Sequence, residues 1–456
     1  MLHGNNILTQ ENIAMSSDGE PFWRQNLLVV WITQFITYLG FSMAMPFTPF
    51  YMRQDLCVID EGMLKMYVGW AAALPALSLA VMSPIWGILA DRYGRKLMML
   101  RASFAGGVII AGMGFAPQIG RFMQSIGFAW CSPVYIFLFL RLMQGMFTGT
   151  TSAAMTLVSS CTPRDRQGYA LAILSTSVFS GDIAGNVLGG YLSSWIGFQN
   201  SFYIGGFLWF FSGLLVLFTA REKFEPKARQ AVARSGKEKL LSVFLPGLPL
   251  FGIFIFANMA RFIDSSQFPL VIEHLNGGKL MPFAARWTSL VLATGFIGAM
   301  FSGFIIGRFI DKHPKAVAIV SALGTGLFMA LVLVLPGIMG GLPRLHPSLP
   351  GLPNDVSACV LAMFPIRFTM IFFSAGLEPV WNSWLSKLTP EDSKGLMFGS
   401  AVTFRSAGQI LAHTTAAYFA MKLGFESIFI LGPVLFILLI PAIILVEKQL
   451  RARVAL

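Results

Sequence analysis

Apolar residues gather into long runs along this chain, and short polar stretches punctuate them. A helix needs about 20 predominantly apolar residues to cross a bilayer. Runs of that length lie near residues 26–50, 66–90, 97–117, 134–159, 169–193, 199–219, 247–272, 287–307, 315–336, 356–385, 396–419 and 427–446. They predict twelve transmembrane helices, the tenth long enough to be tilted or kinked around Pro365 or Pro379. The stretch PGIMGGLPRLHPSLPGLPND, 336–355, is dense in Pro and Gly and reads as an extended, non-helical loop. Residues 1–20 are polar and lack an apolar core or a small-residue cleavage site, so no removable leader is expected.

The polar stretches differ in charge, which sets the orientation. With the N-terminus inside, the inner segments carry 21 Lys and Arg and the outer ones 7. Positive charge stays on the cytoplasmic side, so both termini are expected there. The organisation is then a tail (1–24), a six-helix bundle (25–220), a basic linker (221–246), a second six-helix bundle (247–446) and a tail (447–456). Composition agrees: of 456 residues 55% are hydrophobic and only 12% charged, against about 25% in soluble domains. The fold class is an all-α integral membrane protein. The net charge of +12 implies no nucleic-acid partner, because the basic residues sit between apolar runs. Cys57, Cys131, Cys161 and Cys359 form no C-x-x-C pair, so neither a zinc site nor a disulfide framework is indicated.

The two halves resemble one another. WIGFQNSFYIGG (195–206) aligns with KLGFESIFILGP (422–433) at an offset of 227, which also pairs Gly168 with Gly395, Gly181 with Gly408 and Tyr191 with Tyr418. Gly87, Asp91 and Arg92 are echoed by Gly307, Asp311 and Lys312, and Arg141 is echoed by Arg367.

GILADRYGRK, 87–96, is similar to the signature G-x-L-A-D-R-x-G-R-K between spans two and three of the major facilitator superfamily. MPFTPFY (45–51), REKF (221–224) and the in-span Arg405 look like the family's bacterial multidrug transporters. The resemblance implies two pseudo-symmetric six-helix bundles and a drug:proton antiporter of the twelve-span type. It also implies that the loop latches the cytoplasmic side, Asp91 engaging the eleventh span at Gly395. Physically, Asp91 between Gly87 and Gly94 can approach a helix start, where unpaired N–H groups favour a carboxylate. Arg92, Arg95 and Lys96 hold the loop inside, but inside topology alone requires neither Asp91 nor the glycines. In the second copy Pro314 replaces a glycine, which predicts a weaker latch at Asp311.

Seven ionisable residues fall inside the spans: Arg141, Arg261, Arg367, Arg405, Asp182, Asp264 and Glu378. A charge at the bilayer centre costs at least about 2.5–3.5 kcal/mol, so each is a functional candidate. Arg141, in LRLMQGMFTGTTSA, is similar to the family's fourth-span motif with its Gln144 and Gly145, where the arginine is associated with proton coupling. It stays protonated near neutrality and would act on a partner or on water; its plainer reading is an interhelical hydrogen bond. Asp182, in SGDIAGNVLGG, has no cation one turn away and reads equally as proton carrier or packing residue. Gly181, Gly185, Gly189 and Gly190 carry a resemblance to the antiporter motif G-x-x-x-G-P-x-x-G-G and permit close helix contact. Asn186 stands where that motif has proline. Asp264 follows Arg261 by three residues, a helical spacing for a neutral pair. Glu378, beside Pro379, is the second proton candidate, and His413 is the lone in-span histidine.

Gln34, Tyr38, Phe41 and Met45 recur along one helical face of the first span. Such a mixed stripe suits a cavity for amphiphilic solutes, although core packing explains its apolar members equally well. Asn186, Trp381, Asn382 and Arg405 are further cavity candidates, with Trp381 and Trp384 as belt or wall. No phosphate-binding loop, zinc motif or nucleophile–base spacing occurs, which argues against an enzyme, a metal or a cofactor. The expected activity is proton-coupled export of amphiphilic small molecules across a bacterial inner membrane by a monomer. Its partners would be a small-molecule substrate, the proton and the lipid bilayer. The alternatives are a carrier of organic anions or sugars, which the excess of in-span arginine suits, and a non-transporting receptor or lipid-handling protein, against which an intact latch argues.

Overall fold

Inside a bilayer every backbone N–H and C=O must be satisfied within the chain, and a sequence of apolar runs does this by forming helices. The computed structural model describes residues 22–44, 46–128, 130–163, 166–220, 222, 236–277, 284–310, 312–345, 356–388 and 394–454. The first bundle contains α1 (Phe22–Ser42), the short α2 (Thr48–Gln54), α3 (Glu61–Tyr93), α4 (Arg95–Gly114), the short α5 (Ala116–Ser125), α6 (Pro133–Phe147), α7 (Thr150–Cys161), α8 (Gln167–Ile196) and α9 (Phe198–Thr219). The second contains α10 (Gly236–Phe262), the short α11 (Phe268–Leu275), α12 (Ala284–Ile305), the one-turn α13 (Gly307–Ile310), α14 (Pro314–Met339), α15 (Ala358–Ala375), α16 (Leu377–Leu388), α17 (Lys394–Leu423) and α18 (Glu426–Val454). Counting α6–α7 and α15–α16 as one span each, twelve helices form two pseudo-symmetric six-helix bundles.

Eight of these spans are long and apolar enough to cross a membrane by length and composition alone. Among the described residues the other four fall short, α6 and α10 because their apolar stretches are shorter and α1 and α17 in hydropathy; they carry Gln34 and Tyr38 (α1), Arg141 (α6), Arg261 (α10), and Arg405 with His413 (α17). A span that lines a polar interior cannot be apolar all round. The lower hydropathy of α1 and α17 fits spans that line a polar interior.

Two expectations are corrected. The stretch from Pro336 is not wholly loop: α14 continues through Pro336 to Met339, since a proline near the helix end forfeits only the one N–H bond it lacks and the Gly340 N–H still donates to the Pro336 carbonyl at 3.0 Å. Residues 346–355 of that stretch lie outside the described residues. The fourth span is broken rather than continuous, between Phe147 and Thr150, with Gly149 at φ +117°. The tenth breaks at Gly376, just before Pro379.

Backbone geometry repeats between the halves at the offsets read in the sequence. Gly197 joins α8 to α9 and Gly424 joins α17 to α18, both at φ +86° and 227 residues apart. A Cβ placed on Gly181 of α8 would lie 2.7 Å from the Phe35 carbonyl oxygen and 2.8 Å from the Tyr38 side chain on α1. On Gly408 of α17 it would lie 2.3 Å from the Ile255 carbonyl oxygen and 2.9 Å from Asn258 on α10. Phe35 to Ile255 and Tyr38 to Asn258 are both steps of 220, the offset that separates Gly87 from Gly307. The bundles meet along α3 with α17 and along α8 with α12. Gly69 there approaches the His413 carbonyl oxygen at 2.8 Å, and Gly190 the Ser289 hydroxyl at 2.0 Å, both measured to a built Cβ.

The α1–α8 seam should therefore resist any side chain. A Cβ on Gly189 would stand 2.1 Å from the Met43 carbonyl oxygen, whereas one on Gly252 meets nothing within 4 Å. Gly189→Val is expected to cost about 1–3 kcal/mol by overpacking, and Gly252→Val far less. Thermal unfolding in detergent tests this; equal melting of the two variants would mean that the seam can widen.

Candidate functional site

Gly181, Gly185 and Gly189 recur every four residues on the face of α8 that touches α1, against the carbonyl oxygens of Phe35, Leu39 and Met43. Gly190 points the other way, toward Ser289 of the second bundle. The close approach lets the Ser42 hydroxyl donate to the Asp182 carboxylate. Asn186 does not break α8: its amide donates to the Asp182 carbonyl at 2.8 Å, and its own oxygen is buried without a partner. The Tyr38 hydroxyl lies 2.6 Å from that of Thr151 on α7. Both amide atoms of Gln34 are buried and unpartnered. Phe41 turns into the bundle, edge-on to Trp209 at 6.0 Å, and Met45 lies outside the described residues. Arg141 is buried without a carboxylate, donating to Gln144 Oε1 at 3.0 Å and Thr48 Oγ1 at 3.5 Å.

The second bundle treats its charges differently. The expected Arg261–Asp264 pair does not form. α10 ends at Phe262, so Asp264 sits in the following turn and swings away from the helical register of Arg261. Asp264 instead accepts from Arg367 of α15, both side chains almost fully buried and the guanidinium 4.2 Å from the Phe268 ring centre. Arg261 turns to α16, donating from Nη1 to Glu378 Oε2 at 3.1 Å and from Nε to Ser374 at 3.2 Å. Arg405 of α17 donates from Nη1 to the other Glu378 oxygen at 3.1 Å and from Nη2 to Asn382. Glu378 is thus shared by two arginines. Trp381 is 1% exposed and packs 5.4 Å from Trp384, in the core rather than on an open wall.

At the signature loop, Gly94 joins α3 to α4 at φ +93°. The freed N–H groups of Arg95 and Lys96 donate to the two Glu222 oxygens at 2.9 and 2.8 Å, and Lys96 Nζ reaches the Leu217 carbonyl at 2.9 Å. A carboxylate at a helix start satisfies orphan donors and suits the helix dipole. Arg92 is exposed, over Tyr93. Gly87 and Asp91 fall in α3 and Gly395 in α17, but the side chain of Asp91, and Asp311 entirely, lie outside the described residues.

The opposite end is strapped. Arg53 of α2 donates from Nη1 to both oxygens of Glu273 on α11, at 3.1 and 3.0 Å, and from Nε and Nη2 to Glu61. Burial alone would loosen the Arg53 proton; Glu273 and Glu61 reverse this and raise its pKa. The Lys65 carbonyl accepts from Gln267, and its ammonium donates to the Ala420 carbonyl. Sequence reading missed Arg53, Glu273 and Glu222. A signal existed for the first two, which are 220 residues apart: equivalent positions near a pseudo-two-fold axis face each other.

The model of the Major Facilitator Superfamily matches residues 30–343 and 287–454. The multi-drug resistance efflux pump PmrA homolog of Lactococcus lactis is 31% identical over 434 residues, covering 94% of this chain and 97% of its own. The multidrug resistance protein MdtG of Klebsiella pneumoniae is 28% identical over 428 residues, covering 92% and 94%. Among solved structures, the nucleoside transporter NupG superposes with a TM-score of 0.68 at 13% identity, over 92% of this chain and 99% of its own. At that identity the likeness concerns the fold.

The Asp264–Arg367 pair generates a stability test. Removing one member of a buried pair strands the other and costs about 3–5 kcal/mol, while replacing both can be nearly neutral. Arg367→Met should melt well below the parent protein, and Asp264→Leu/Arg367→Met together should recover most of the loss. A double variant no better than the single one would mean that the pair does more than neutralise itself.

Proposed function

The chain belongs to the major facilitator superfamily, and from that membership we propose that it exports amphiphilic small molecules in exchange for protons, by alternating access between its bundles. It is a multi-pass membrane transporter, not an enzyme. Its bacterial relatives are named as multi-drug resistance efflux pumps and as a multidrug resistance protein, which supports export of drug-like solutes.

One observation carries the proton coupling. Asp182 is a carboxylate within a span whose one described partner is the Ser42 hydroxyl. It can gain and lose a proton without breaking an ion pair. Protonating Asp264 would instead leave the buried Arg367 uncompensated, and protonating Glu378 would leave the half-buried Arg261 and Arg405 without their shared counter-charge. Asp182 therefore ranks first and Glu378 behind it. Arg141, with no carboxylate of its own, acts on the bundle interface, within electrostatic reach of His413 on α17.

The orientation follows from the loop charges: both termini cytoplasmic, Arg53–Glu273 outside. The strap then closes the outer end, and the solute enters from the cytoplasmic side. The unpartnered amide of Gln34 and the Asn186 oxygen serve as hydrogen-bonding groups for solute or water in that state. Swinging to the outward state requires the strap to part and Asp91 to latch on the start of α17.

Reconstituted vesicles loaded with a pH-sensitive dye provide the test. Adding one active member of a diverse lipophilic panel should move protons, and Asp182→Asn should abolish that movement, by at least about 100-fold in the size expected of an essential proton-transfer group. Solute flux that persists unchanged when the pH gradient is collapsed would overturn antiport.

A further inference from the structure

Arg261, Glu378 and Arg405 come from three different helices of the second bundle and converge on one carboxylate. Two guanidinium groups and one carboxylate leave an unbalanced positive charge in a low-dielectric span. The Glu378 side chain is nevertheless 43% exposed, although its helix touches α10, α14, α15 and α17. Exposure amid packed spans marks an open interior space, so the cluster faces it rather than lipid.

The donors are also incompletely used. A guanidinium carries five N–H donors and no acceptor. Arg261 spends Nη1 on Glu378 and Nε on Ser374, and its Nη2 has no partner among the described residues. Arg405 spends both terminal nitrogens, on Glu378 and Asn382, and its Nε has no partner. Aromatic rings flank both groups: Arg405 lies 4.9 Å from the Phe254 ring centre and Arg261 5.7 Å from that of Phe262. Unspent donors, excess positive charge and aromatic walls together fit a carboxylate or similar anion attached to an apolar body.

We propose that Arg261 and Arg405 form a subsite for the anionic group of the transported amphiphile, with Glu378 as the internal anion that holds the site together when it is empty. The subsite rests on the export reading for its purpose, but not for its chemistry. Arg261 offers its free terminal nitrogen to the incoming group. Glu378 competes for the same two cations, so its removal should strengthen anion binding, which no purely structural role for Glu378 would do.

Binding is measured calorimetrically on the full chain in phosphatidylcholine nanodiscs, with no gradient present, using biphenylacetate and its uncharged isostere biphenylacetamide. The carboxylate should bind about tenfold more tightly, the worth of one charge-assisted hydrogen bond. Arg405→Gln should erase that preference, Arg405→Lys should keep part of it, and Glu378→Gln should widen it. Melting temperatures within a few degrees of the parent protein qualify each variant as folded. Equal affinity for the two probes in the parent protein would overturn the proposal, as would a preference unchanged in both Arg405→Gln and Arg261→Gln. Displacement of biphenylacetate by phosphatidylglycerol but by no soluble carboxylate would assign the cations to a lipid headgroup and overturn the solute subsite. If binding behaves as expected while vesicles show no proton-linked flux, the subsite stands and the antiport reading fails.

Discussion

A guanidinium or carboxylate carried into a bilayer has three ways to avoid an intolerable cost: a counter-charge, a set of hydrogen bonds, or water in a shared interior space. The in-span charges of this chain use all three, and the architecture follows from how they are distributed. Asp264 and Arg367 neutralise each other in the core. Arg141 relies on Gln144 and Thr48. Glu378 binds two arginines yet keeps a large exposed surface. Among the described residues, the helices that hold Arg141 and Arg261 are apolar but too short to cross a membrane alone, and the one that holds Arg405 is long enough but less apolar.

Close helix approach is the second requirement, since lipid tails offer helices no hydrophobic reason to associate. The glycine ladder of α8 presses directly on the backbone of α1, and Gly408 of α17 does the same on α10. This contact brings Ser42 to Asp182. Packing and chemistry thus share one seam, and a methyl group added at the ladder would move the carboxylate as well as the helix.

The twelve spans, the two halves and the signature loop were legible in the sequence because each is a local pattern or a fixed offset. So was the absence of a cation near Asp182 along its own helix. Pairings across helices were not. Arg261 and Asp264 have the right spacing for a pair, but spacing counts only while the helix continues, and α10 ends between them. Glu378 and Arg405 are linked by the fold alone. The helix cap that Glu222 places on α4 joins residues more than a hundred positions apart. The Arg53–Glu273 strap is the instructive middle case: the repeat offset contains it, but only once the offset is read as a rotation axis that brings equivalent positions together.

The symmetry of the scaffold makes the asymmetry of its chemistry informative. Arg141 and Arg367 occupy corresponding places on the fourth and tenth spans, and both spans break a little over two turns later, at Gly149 and Gly376. Yet Arg367 has its own carboxylate and Arg141 has none. Asp182 corresponds by the offset of 227 to Gln409, which cannot titrate. The first bundle therefore holds the carboxylate that is free of cations, and the second holds the cations that outnumber their carboxylate. In the proposed alternating access the two bundles move as bodies, so a proton taken by one and a solute held by the other would be coupled through the surface where they meet. That surface is α3 on α17 and α8 on α12, and α8 and α17 are the helices that carry Asp182 and Arg405 themselves. In that proposal a change of charge on either side reaches the very helix that forms the contact between the bundles, with no intermediate element needed to relay it.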